Sequence, residues 1–328
     1  MPKISIILPC YNVSKFLEKC IHSLINQTEK DIEIIFVDDC SPDDSSQIIS
    51  RYAKKDKRIK LLKMEKNGGQ GAARNLGRDN ATGEYIWFVD PDDYIETDAC
   101  EVLYNEAKKD DLEILGFQPC NVVTAENYKY INRNIFTSSI RWPINKIFSP
   151  KTQGDKLIRI FSVTPWRYIT KNSFLKVRFP EVRHREDTIY TPILFSECNR
   201  MKFISYTAYN YNLRAGSDVA SSINEKKVFC AFNVFYNFDN YINKAHLSKK
   251  HFLYKYALYW IIIIRRTLRD YKKVFGKPYV LSDFEKNISK RIKHYMRKNI
   301  QYSFINNFLP LGLIKLLYKD FQFYYDKL

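Results

Sequence analysis

Three carboxylates within four residues are the pattern in this sequence with the clearest chemistry. The motif DPDD places Asp90, Asp92 and Asp93 directly after the apolar run EYIWFV. Carboxylates this close repel one another and raise each other's pKa unless a cation lies among them. Hard oxygen ligands of this kind suit Mg2+ or Mn2+ that is shared with substrate phosphates. The motif therefore indicates a metal site, with a turn or a capped helix start as the alternative.

A second acidic cluster, DDCSPDD at residues 38–44, follows another apolar run, EIIFV. In the first motif, Pro91 has no N–H to donate to a neighbouring strand, so it places DPDD at the end of a strand. Two acidic loops that each follow a strand favour the metal site over a simple turn. Helix capping is an alternative role for Asp43 and Asp44, because a helical pattern starts at about residue 45.

The elements that position these motifs alternate between strand and helix. Short runs of aliphatic and aromatic residues predict buried strands at 3–8, 33–37, 59–63, 84–89 and 112–117. Apolar residues at helical spacing predict helices at 15–26, 45–53 and 71–80, the first with Ser14 as its N-cap. This alternation predicts an α/β fold with a mostly parallel sheet that is covered on both faces. Ligands bind beyond the carboxyl ends of such strands, so the polar loops after them should meet at one edge.

The composition is that of a globular protein whose charge is unevenly distributed. The 328 residues are 45% hydrophobic and 27% charged, with too little Gly and Pro for a disordered or fibrous chain. Residues 224–328 contain 21 Lys and Arg against 7 Asp and Glu, and the whole chain has a net charge of +17. A nearly neutral body is therefore followed by a basic region that needs an anionic partner.

Three features indicate a cytoplasmic protein. The seven cysteines are widely spaced without a CxxC motif, so we predict reduced thiols in the core. The N-terminus passes directly into a strand pattern and lacks the features of a secretory signal. The longest apolar run, Ala257–Ile264, is too short to cross a bilayer.

Five motifs in a fixed order resemble the N-terminal half of glycosyltransferase family 2, which comprises inverting enzymes with the GT-A fold. They are SIILPCYN at 5–12, NQT at 26–28, DIEIIFVDDCSPDDS at 31–45, GAARNLG at 71–77 and GEYIWFVDPDDYI at 83–95. A thinner likeness continues through TPWRYITKNSFL at 164–175, HREDTIY at 184–190 and YNYNLRAGSDVAS at 209–221. The spellings DDC and DPDDY look most like bacterial members that extend lipooligosaccharide or capsular glycans, often galactosyl- or N-acetylhexosaminyltransferases.

The resemblance implies a binding site for a nucleotide sugar. Pro9, Tyr11 and Asp39 match the residues that line the nucleobase and ribose pocket. In that pocket Tyr11 would stack on uracil and Asp39 would accept a hydrogen bond from it. Asp90 and Asp92 match the DXD motif, which implies that Asp90 lies near the ribose and donor sugar and that Asp92 is the chief metal ligand. Without the family, Tyr11 is equally an ordinary aromatic of the crevice.

Other residues near these motifs have alternatives that the sequence leaves open. Arg74 can approach the donor through its planar guanidinium, or it can form an ordinary surface ion pair. Asp93 is a candidate contact to the donor or acceptor sugar. Asp38 is predicted to be structural, with its side chain turned to backbone donors. The glycines of residues 68–71 do not form GxGxxG, so a Rossmann dinucleotide site is not supported.

An inverting transfer needs one carboxylate that takes the proton of the acceptor hydroxyl. The Glu186-Asp187 pair matches the acidic pair of the family, which implies that Asp187 is the base, with Glu186 as the second choice. The pair also opens a predicted helix at 188–197, where carboxylates favour the positive end of the dipole. His184 is a candidate contact to metal or acceptor, and Trp166 is a candidate platform for a sugar. A packing histidine and a core tryptophan are the alternatives.

The chain is expected to form a catalytic GT-A domain and a basic aromatic helical region. The catalytic domain spans 1–222, with 1–117 as the nucleotide-sugar-binding half and 118–222 as the acceptor-side half, and the helical region spans 223–328. The predicted helices of that region are 227–241, 251–271, 283–299 and 304–318, the last interrupted by Pro310. Because Trp260 and the four isoleucines at 261–264 lie beside the arginines at 265, 266 and 269, we expect the region to dock on anionic lipid at the inner face of the cytoplasmic membrane. Packing on the catalytic domain and pairing into a homo-oligomer are the alternatives.

The resulting expectation is an inverting hexosyltransferase with Mn2+ or Mg2+ as its cofactor. It would move a hexose or N-acetylhexosamine from a UDP-sugar to a glycan or glycolipid acceptor in bacterial surface polysaccharide or lipooligosaccharide synthesis. A net charge of +17 could also indicate a nucleic-acid-binding protein. The acidic crevice and the absence of a recognisable DNA or RNA module argue against nucleic acid as a partner. A non-catalytic sugar-nucleotide binder is the other alternative, and the intact DPD and ED motifs argue against it.

Overall fold

The computed structural model describes residues 1–118, 120–124, 144–153, 164–213, 223–245, 247 and 252–305. The chain folds into two compact units, Met1–Ala220 and Ser221–Leu328. The helix predicted at 304–318 lies outside the described residues except for its first two positions. The irregular segment that the sequence predicts at about 118–150 falls largely on residues 125–143, which also lie outside the described residues.

The first unit contains two sheets. In chain order the strands are β1 Ile4–Cys10, β2 Ile32–Asp38, β3 Ile59–Lys63, β4 Tyr85–Phe88, β5 Tyr94–Ile95, β6 Ile114–Gln118, β7 Asn121–Thr124, β8 Tyr168–Lys171, β9 Met201–Ser205 and β10 Tyr209–Leu213. The larger sheet has seven strands in the order β3-β2-β1-β4-β8-β6-β9, and the smaller has the order β5-β10-β7. β8 runs antiparallel to both of its neighbours, and the other pairs of the larger sheet are parallel. The predicted mostly parallel sheet is thus confirmed.

Helices cover both faces of the larger sheet. They are α1 Ser14–Ile25, α2 Ser45–Ala53, α3 Gln70–Asp79, α4 Ala99–Lys109, α5 Pro150–Gln153 and α6 Glu186–Glu197. Side chains alternate along β1, so Ile6 joins a core layer with α1, α2 and α4, whereas Ile7 joins a layer with α3 and α6. Burial on both faces explains why the strands read as continuous apolar runs.

The starts of α1 and α2 correct one expectation and confirm another. Ser14 is the first residue of α1 and not its N-cap, a position that Val13 occupies. The Ser14 N–H donates to Asp43 Oδ2 over 2.9 Å, and the Ser45 N–H donates to Asp43 Oδ1 over 3.1 Å. Burial would raise the pKa of Asp43, but the hydrogen bonds from Ser45 and Ser14 lower it to about 2. One carboxylate therefore caps two helices: its cap of α2 is local and was considered in the sequence, whereas its cap of α1 is not visible in any local pattern.

The cysteines were predicted correctly with one exception. All seven thiols are free and six are buried, whereas Cys40 is exposed and donates to the Met64 carbonyl over 3.1 Å. The prediction of core thiols was therefore wrong for Cys40, which lies in the loop after β2 and has a positive φ of 58°. None of the helices in the described ranges is long and apolar enough to cross a bilayer.

The second unit contains three long helices, α7 Glu225–Lys244, α8 Phe252–Phe275 and α9 Asp283–Ile305. Helix α7 packs against both α8 and α9. Phe238 of α7 meets Tyr256 of α8 edge to face at 5.1 Å between ring centroids, and Arg291 of α9 forms an ion pair with Asp239 of α7. The predicted helical C-terminal region is confirmed as far as residue 305.

The apolar stripe of α8 is buried. Trp260, Ile261 and Ile264 are each at most 4% exposed. These residues suggested lipid docking in the sequence, because an apolar run beside arginines is typical of interfacial helices. The structure places them in a packed interior instead, so they are not available to a lipid surface.

Candidate functional site

The loops that follow β1, β2 and β4 meet at one edge of the larger sheet. The strands lie side by side, with Cys10 paired to Asp38 and Ile7 paired to Phe88. The Asp39 N–H donates to the Cys10 carbonyl over 2.8 Å, which joins the first two loops. The predicted convergence of polar residues beyond the carboxyl ends is confirmed.

The two aspartates after β2 hold backbone. Asp38 Oδ1 accepts a hydrogen bond from the Ser41 N–H over 3.0 Å, which agrees with the structural role predicted for it. Asp39 is 3% exposed, and its two carboxylate oxygens accept from the N–H groups of Gly68 and Gly69 over 2.7 and 2.8 Å. Asp39 therefore fixes the loop that leads into α3, a contact that the sequence did not indicate.

Tyr11 and Pro9 differ in accessibility. Tyr11 is 49% exposed in the loop after β1, which leaves its ring open for stacking. Pro9 lies inside β1, where it is buried and paired with Val37. The first strand was predicted to end at residue 8. The structure extends it to Cys10, so Pro9 belongs to the strand and not to the loop that follows it.

Arg74 connects two acidic motifs that are far apart in the sequence. Its Nη2 donates to Asp90 Oδ1 over 3.0 Å, and its Nη1 donates to Glu186 Oε1 over 2.7 Å. The Arg74 side chain is only 3% exposed, so the ordinary surface ion pair considered above is wrong. Burial would lower the pKa of Arg74, but the charges of Asp90 and Glu186 raise it, and the guanidinium stays protonated. The buried cation thereby joins the DPDD loop to the Glu186-Asp187 pair.

A glycine allows α3 to approach α6 closely. A Cβ atom on Gly71 would lie 3.2 Å from both Glu186 Cγ and Phe179 Cβ, closer than most such contacts. The guanidinium of Arg74, one turn further along α3, lies 5.3 Å from the centre of the Phe179 ring. Absence of a side chain at position 71 therefore helps to bring Arg74 to Glu186.

The two carboxylates that open α6 have different surroundings. Glu186 is 5% exposed and is held by Arg74, whereas Asp187 is half-buried. Asp187 Oδ1 accepts from the Thr188 N–H over 2.6 Å and from the Thr188 hydroxyl over 3.1 Å. Burial and the charge of Glu186 raise the pKa of Asp187 to about 6, against the opposing charge of Arg74. A carboxylate with a raised pKa in such a cluster has the properties of a general base.

The three aspartates of the DPDD motif separate into two kinds. Asp90 and Asp92 are half-buried, whereas Asp93 is 2% exposed. Asp93 accepts from the Tyr209 hydroxyl and from the Asn212 N–H, each over 2.7 Å. Burial, followed by the charges of Asp92 and Asp90, raises the pKa of Asp93 well above its usual range. Its contacts therefore anchor the loop to β10, which differs from the sugar contact considered in the sequence.

Trp166 lies beneath the acidic loop. It is 2% exposed and stacks on Tyr209 with 4.2 Å between ring centroids and 9° between ring planes. The Tyr209 hydroxyl accepts from the Asp90 N–H over 3.1 Å. Trp166 is thus a core residue that supports the loop, in agreement with the packing alternative. Tyr209 was not singled out in the sequence, although the alternation YNYN is typical of a strand with one buried face.

The residues present fit a metal that is shared with a substrate. No group of three His, Cys, Asp or Glu side chains that could hold an ion occurs among the residues that the structure describes. Asp90 and Asp92 supply two carboxylates, and Mg2+ commonly takes only one or two from the protein, with the rest from phosphates and water. After burial, which is the larger cause, the charges of Asp92 and Asp90 also raise the pKa of Asp93, so the carboxylates of this loop act on one another. His184 is half-buried in the segment before α6.

A comparison with protein families decides the class of this chain. The family model for glycosyl transferase family 2 matches residues 5–173, which is more than half of the sequence. The chain belongs to glycosyltransferase family 2. This is the family that the five motifs predicted.

This family-2 glycosyltransferase is similar to proteins of known sequence and to a solved structure. It is 35% identical over 219 residues to the uncharacterized glycosyltransferase EpsJ of Bacillus subtilis, an alignment that covers 64% of this chain and 61% of EpsJ. It is 33% identical over 237 residues to the cholesterol galactosyltransferase of Borreliella burgdorferi, with coverages of 67% and 63%. The crystal structure of S. aureus TarS 1-349 in complex with UDP-GlcNAc superposes with a TM-score of 0.58 at 22% sequence identity, covering 83% of this chain and 73% of that one. The last likeness shows that the chain has the GT-A fold.

Proposed function

We propose that this enzyme transfers a hexose or N-acetylhexosamine from a UDP-sugar to a glycan or glycolipid acceptor with inversion at the anomeric carbon. The setting would be the synthesis of a bacterial surface polysaccharide or lipooligosaccharide. Residues 1–222 would form the catalytic domain, and residues 223–328 would form an accessory helical region. The observation that supports the proposal is the Arg74 bridge, because it joins Asp90 of the DPDD motif to Glu186, the neighbour of the proposed base Asp187.

Donor binding would involve the edge of the sheet. The exposed ring of Tyr11 would stack on uracil, beside the buried Pro9 and the Asp39 carboxylate. TarS, which shares the fold, was crystallised with UDP-GlcNAc, and this supports a UDP-sugar as the donor. Asp90 and Asp92 would hold Mn2+ or Mg2+ against the diphosphate. The ion would stabilise the negative charge of the diphosphate as it leaves.

The transfer itself would be a single displacement. Asp187 takes the proton from the acceptor hydroxyl while that oxygen forms a bond to the anomeric carbon and the bond from this carbon to the diphosphate breaks. Glu186 is engaged with Arg74, so it would position the cluster and not accept the proton. Asp187 is the better candidate because it is more accessible and because its pKa is raised to about 6. His184, in the adjacent segment, would lie on the acceptor side.

The acceptor is proposed to be presented at a membrane. One relative is a cholesterol galactosyltransferase, and this is consistent with a lipid-linked acceptor. The chain from residue 224 onwards carries 21 basic against 7 acidic residues, a balance that favours an anionic surface. Peripheral binding at the inner face of the cytoplasmic membrane would bring enzyme and acceptor together, and self-association through the same helices is the competing arrangement.

The proposed donor class can be tested by measuring nucleotide release. Incubation with a panel of UDP-sugars and Mn2+ is expected to release UDP from at least one of them, and excess chelator should stop the release. Slow hydrolysis without an acceptor is sufficient for this assay, because water can replace the acceptor hydroxyl. Absence of UDP release from every sugar, with release from another class of nucleotide sugar, would show that the donor assignment is wrong.

Asp92→Ala is expected to lower UDP release by about a hundredfold or more and to remove its dependence on Mn2+, because the chief proposed metal ligand is lost. The matched control is Asp44→Ala, which removes an exposed aspartate from the loop before α2. That variant should retain the activity of the parent enzyme. Equal activity of both variants at every Mn2+ concentration would contradict the assignment of Asp92.

The pH dependence of the transfer should report Asp187. A raised pKa means that the carboxylate binds a proton at higher pH than usual, so the base is lost as the pH falls through about 6. We expect kcat/KM to decrease about tenfold per pH unit below this point and to level off above it. Circular dichroism at each pH separates this effect from unfolding. A profile that stays flat down to pH values near the ordinary aspartate pKa of about 4 would not fit a base whose pKa is raised.

A further inference from the structure

The turn between α8 and α9 exposes an unusual concentration of apolar side chains. Val274, Phe275 and Val280 are 60%, 46% and 82% exposed, and they account for three of the seven exposed large hydrophobic residues in the described part of the chain. Single exposed apolar residues are ordinary on a soluble protein, whereas a contiguous group marks an interaction surface. We define residues 272–280 as the α8–α9 turn.

The end of α8 gives the turn a defined backbone. The Gly276 N–H donates to the Lys272 carbonyl over 3.0 Å, and Gly276 has a φ of +67°. A left-handed glycine after the last helical residue is a common way to end a helix. A Cβ atom on Gly276 would meet nothing within 4 Å, so the turn projects into open space.

Aromatic packing fixes the inner side of the turn. Tyr271 is 5% exposed, and its ring lies 4.4 Å from that of Phe275 and 5.1 Å from that of Tyr279. The Tyr279 hydroxyl donates to the buried Glu285 over 3.0 Å. The exposed apolar side chains are therefore carried on an ordered support, which lowers the entropic cost of presenting them to a partner.

The charged residues within the turn are all basic, whereas Asp270 and Asp283 lie just outside it and Glu285 accepts from Tyr279. Lys272, Lys273 and Lys277 are exposed, and the sequence YKKVFGKPYVLS at 271–282 contains no acidic residue. Lysines that flank aliphatic and aromatic side chains are typical of segments that lie in the headgroup region of a bilayer. The same set does not suit a nucleic acid, since two valines at the tip have no flat surface for stacking on bases.

We propose that the α8–α9 turn is the part of the protein that docks on an anionic lipid bilayer. Val274, Phe275 and Val280 enter the headgroup region, while the three lysines bind lipid phosphates. The proposal deepens the membrane partnership proposed above and rests on it. It transfers that role from the apolar stripe of α8, which is buried, to a short turn that is exposed.

Sedimentation of the full chain with lipid vesicles tests this assignment. The parent protein should bind vesicles of phosphatidylcholine mixed with phosphatidylglycerol and should not bind vesicles of phosphatidylcholine alone. Each lysine near an anionic surface contributes roughly fivefold to binding, so Lys272→Glu/Lys273→Glu/Lys277→Glu should lose at least about a hundredfold. Val274→Ser/Val280→Ser should also weaken binding, by about tenfold, because fewer apolar atoms leave water.

Matched controls separate a local surface from general charge. Lys54→Glu/Lys55→Glu/Lys57→Glu changes the net charge by the same amount at three exposed lysines after α2, and it should bind vesicles like the parent within about threefold. Ile147→Ser removes an aliphatic side chain that is 44% exposed elsewhere and should have no effect. Val280→Trp should strengthen binding, because tryptophan favours the bilayer interface. Stronger vesicle binding by Val280→Trp cannot result from unfolding, so it tests the turn even if the other variants lose stability.

The possible outcomes distinguish this inference from the proposed function. The assignment of the turn is overturned if the lysine and valine variants of the turn still bind vesicles while the control variant Lys54→Glu/Lys55→Glu/Lys57→Glu does not. Loss of a dimer in Val274→Ser/Val280→Ser, with vesicle binding unchanged, shows that a second copy covers the turn and also overturns it. UDP release is measured on the same variants without vesicles and should equal that of the parent, so a failed donor assignment and a failed docking assignment give different results.

Discussion

Asp187→Asn is expected to reduce sugar transfer by about 10²–10⁴-fold while donor binding is retained. Asparagine has nearly the same shape as aspartate. In the parent enzyme the Thr188 N–H donates to Asp187 Oδ1 over 2.6 Å, and the amide oxygen of asparagine can still accept this hydrogen bond. It cannot take a proton from the acceptor hydroxyl. Steady-state transfer rates and the dissociation constant for UDP, measured by calorimetry, separate the two effects.

Glu186→Gln is the matched comparison for this prediction. Its amide oxygen can still accept from Arg74 Nη1, so the cluster keeps its geometry and loses one negative charge. The transfer rate should fall much less than in Asp187→Asn, and the pH below which activity is lost should move down because the charge that raises the pKa of Asp187 is gone. Normal transfer by Asp187→Asn, or a larger loss in Glu186→Gln, would assign the base to another group.

Arg74→Met is expected to destabilise the enzyme by about 3–5 kcal/mol and to abolish transfer. Methionine fills much of the volume but leaves Asp90 and the buried Glu186 without their shared cation. Uncompensated charges in a low dielectric are costly, and the pKa of Asp187 should rise further because Arg74 opposes that rise. Urea unfolding monitored by circular dichroism measures the free energy of unfolding.

Arg178→Met provides the control for the loss of an arginine ion pair. Arg178 forms two hydrogen bonds of 2.8 Å to Asp79, but both side chains are about half exposed, at 52% and 46%. An exposed pair of this kind contributes about 0–1 kcal/mol. Arg74→Met/Glu186→Gln should recover part of the lost stability, because one of the two unpaired carboxylates has been neutralised. Equal effects of Arg74→Met and Arg178→Met would mean that the buried bridge does not hold the site together.

The acidic cluster shows why residue type alone does not assign a role. Asp92 and Asp93 are adjacent and chemically identical, and the sequence offers both as sugar or metal contacts. Tyr209 and Asn212, more than a hundred residues later, donate hydrogen bonds to the buried Asp93, whereas Asp92 is half-buried. The difference depends on where β10 crosses the loop, and no local pattern contains that information.

The C-terminal helices show the same limit for a surface. The apolar stripe of α8 has the spacing of a helix face that must be covered, but spacing does not say whether lipid or protein covers it. Packing along α7 buried that stripe. The apolar residues left exposed lie in the turn that follows, where the sequence shows only lysines, two valines and aromatic residues around a glycine and a proline.

The sequence by itself determined the alternation of strands and helices, the parallel sheet, the edge at which the acidic loops meet, and the family. These follow from local periodicity, from strand ends and from motifs in a fixed order. The tertiary structure alone decided that one aspartate caps two helices, that Arg74 joins Asp90 to Glu186, and that Trp166 lies in the core. Each of these depends on which distant segments pack together, and long-range packing is fixed by the whole core and not by the spacing of residues along the chain.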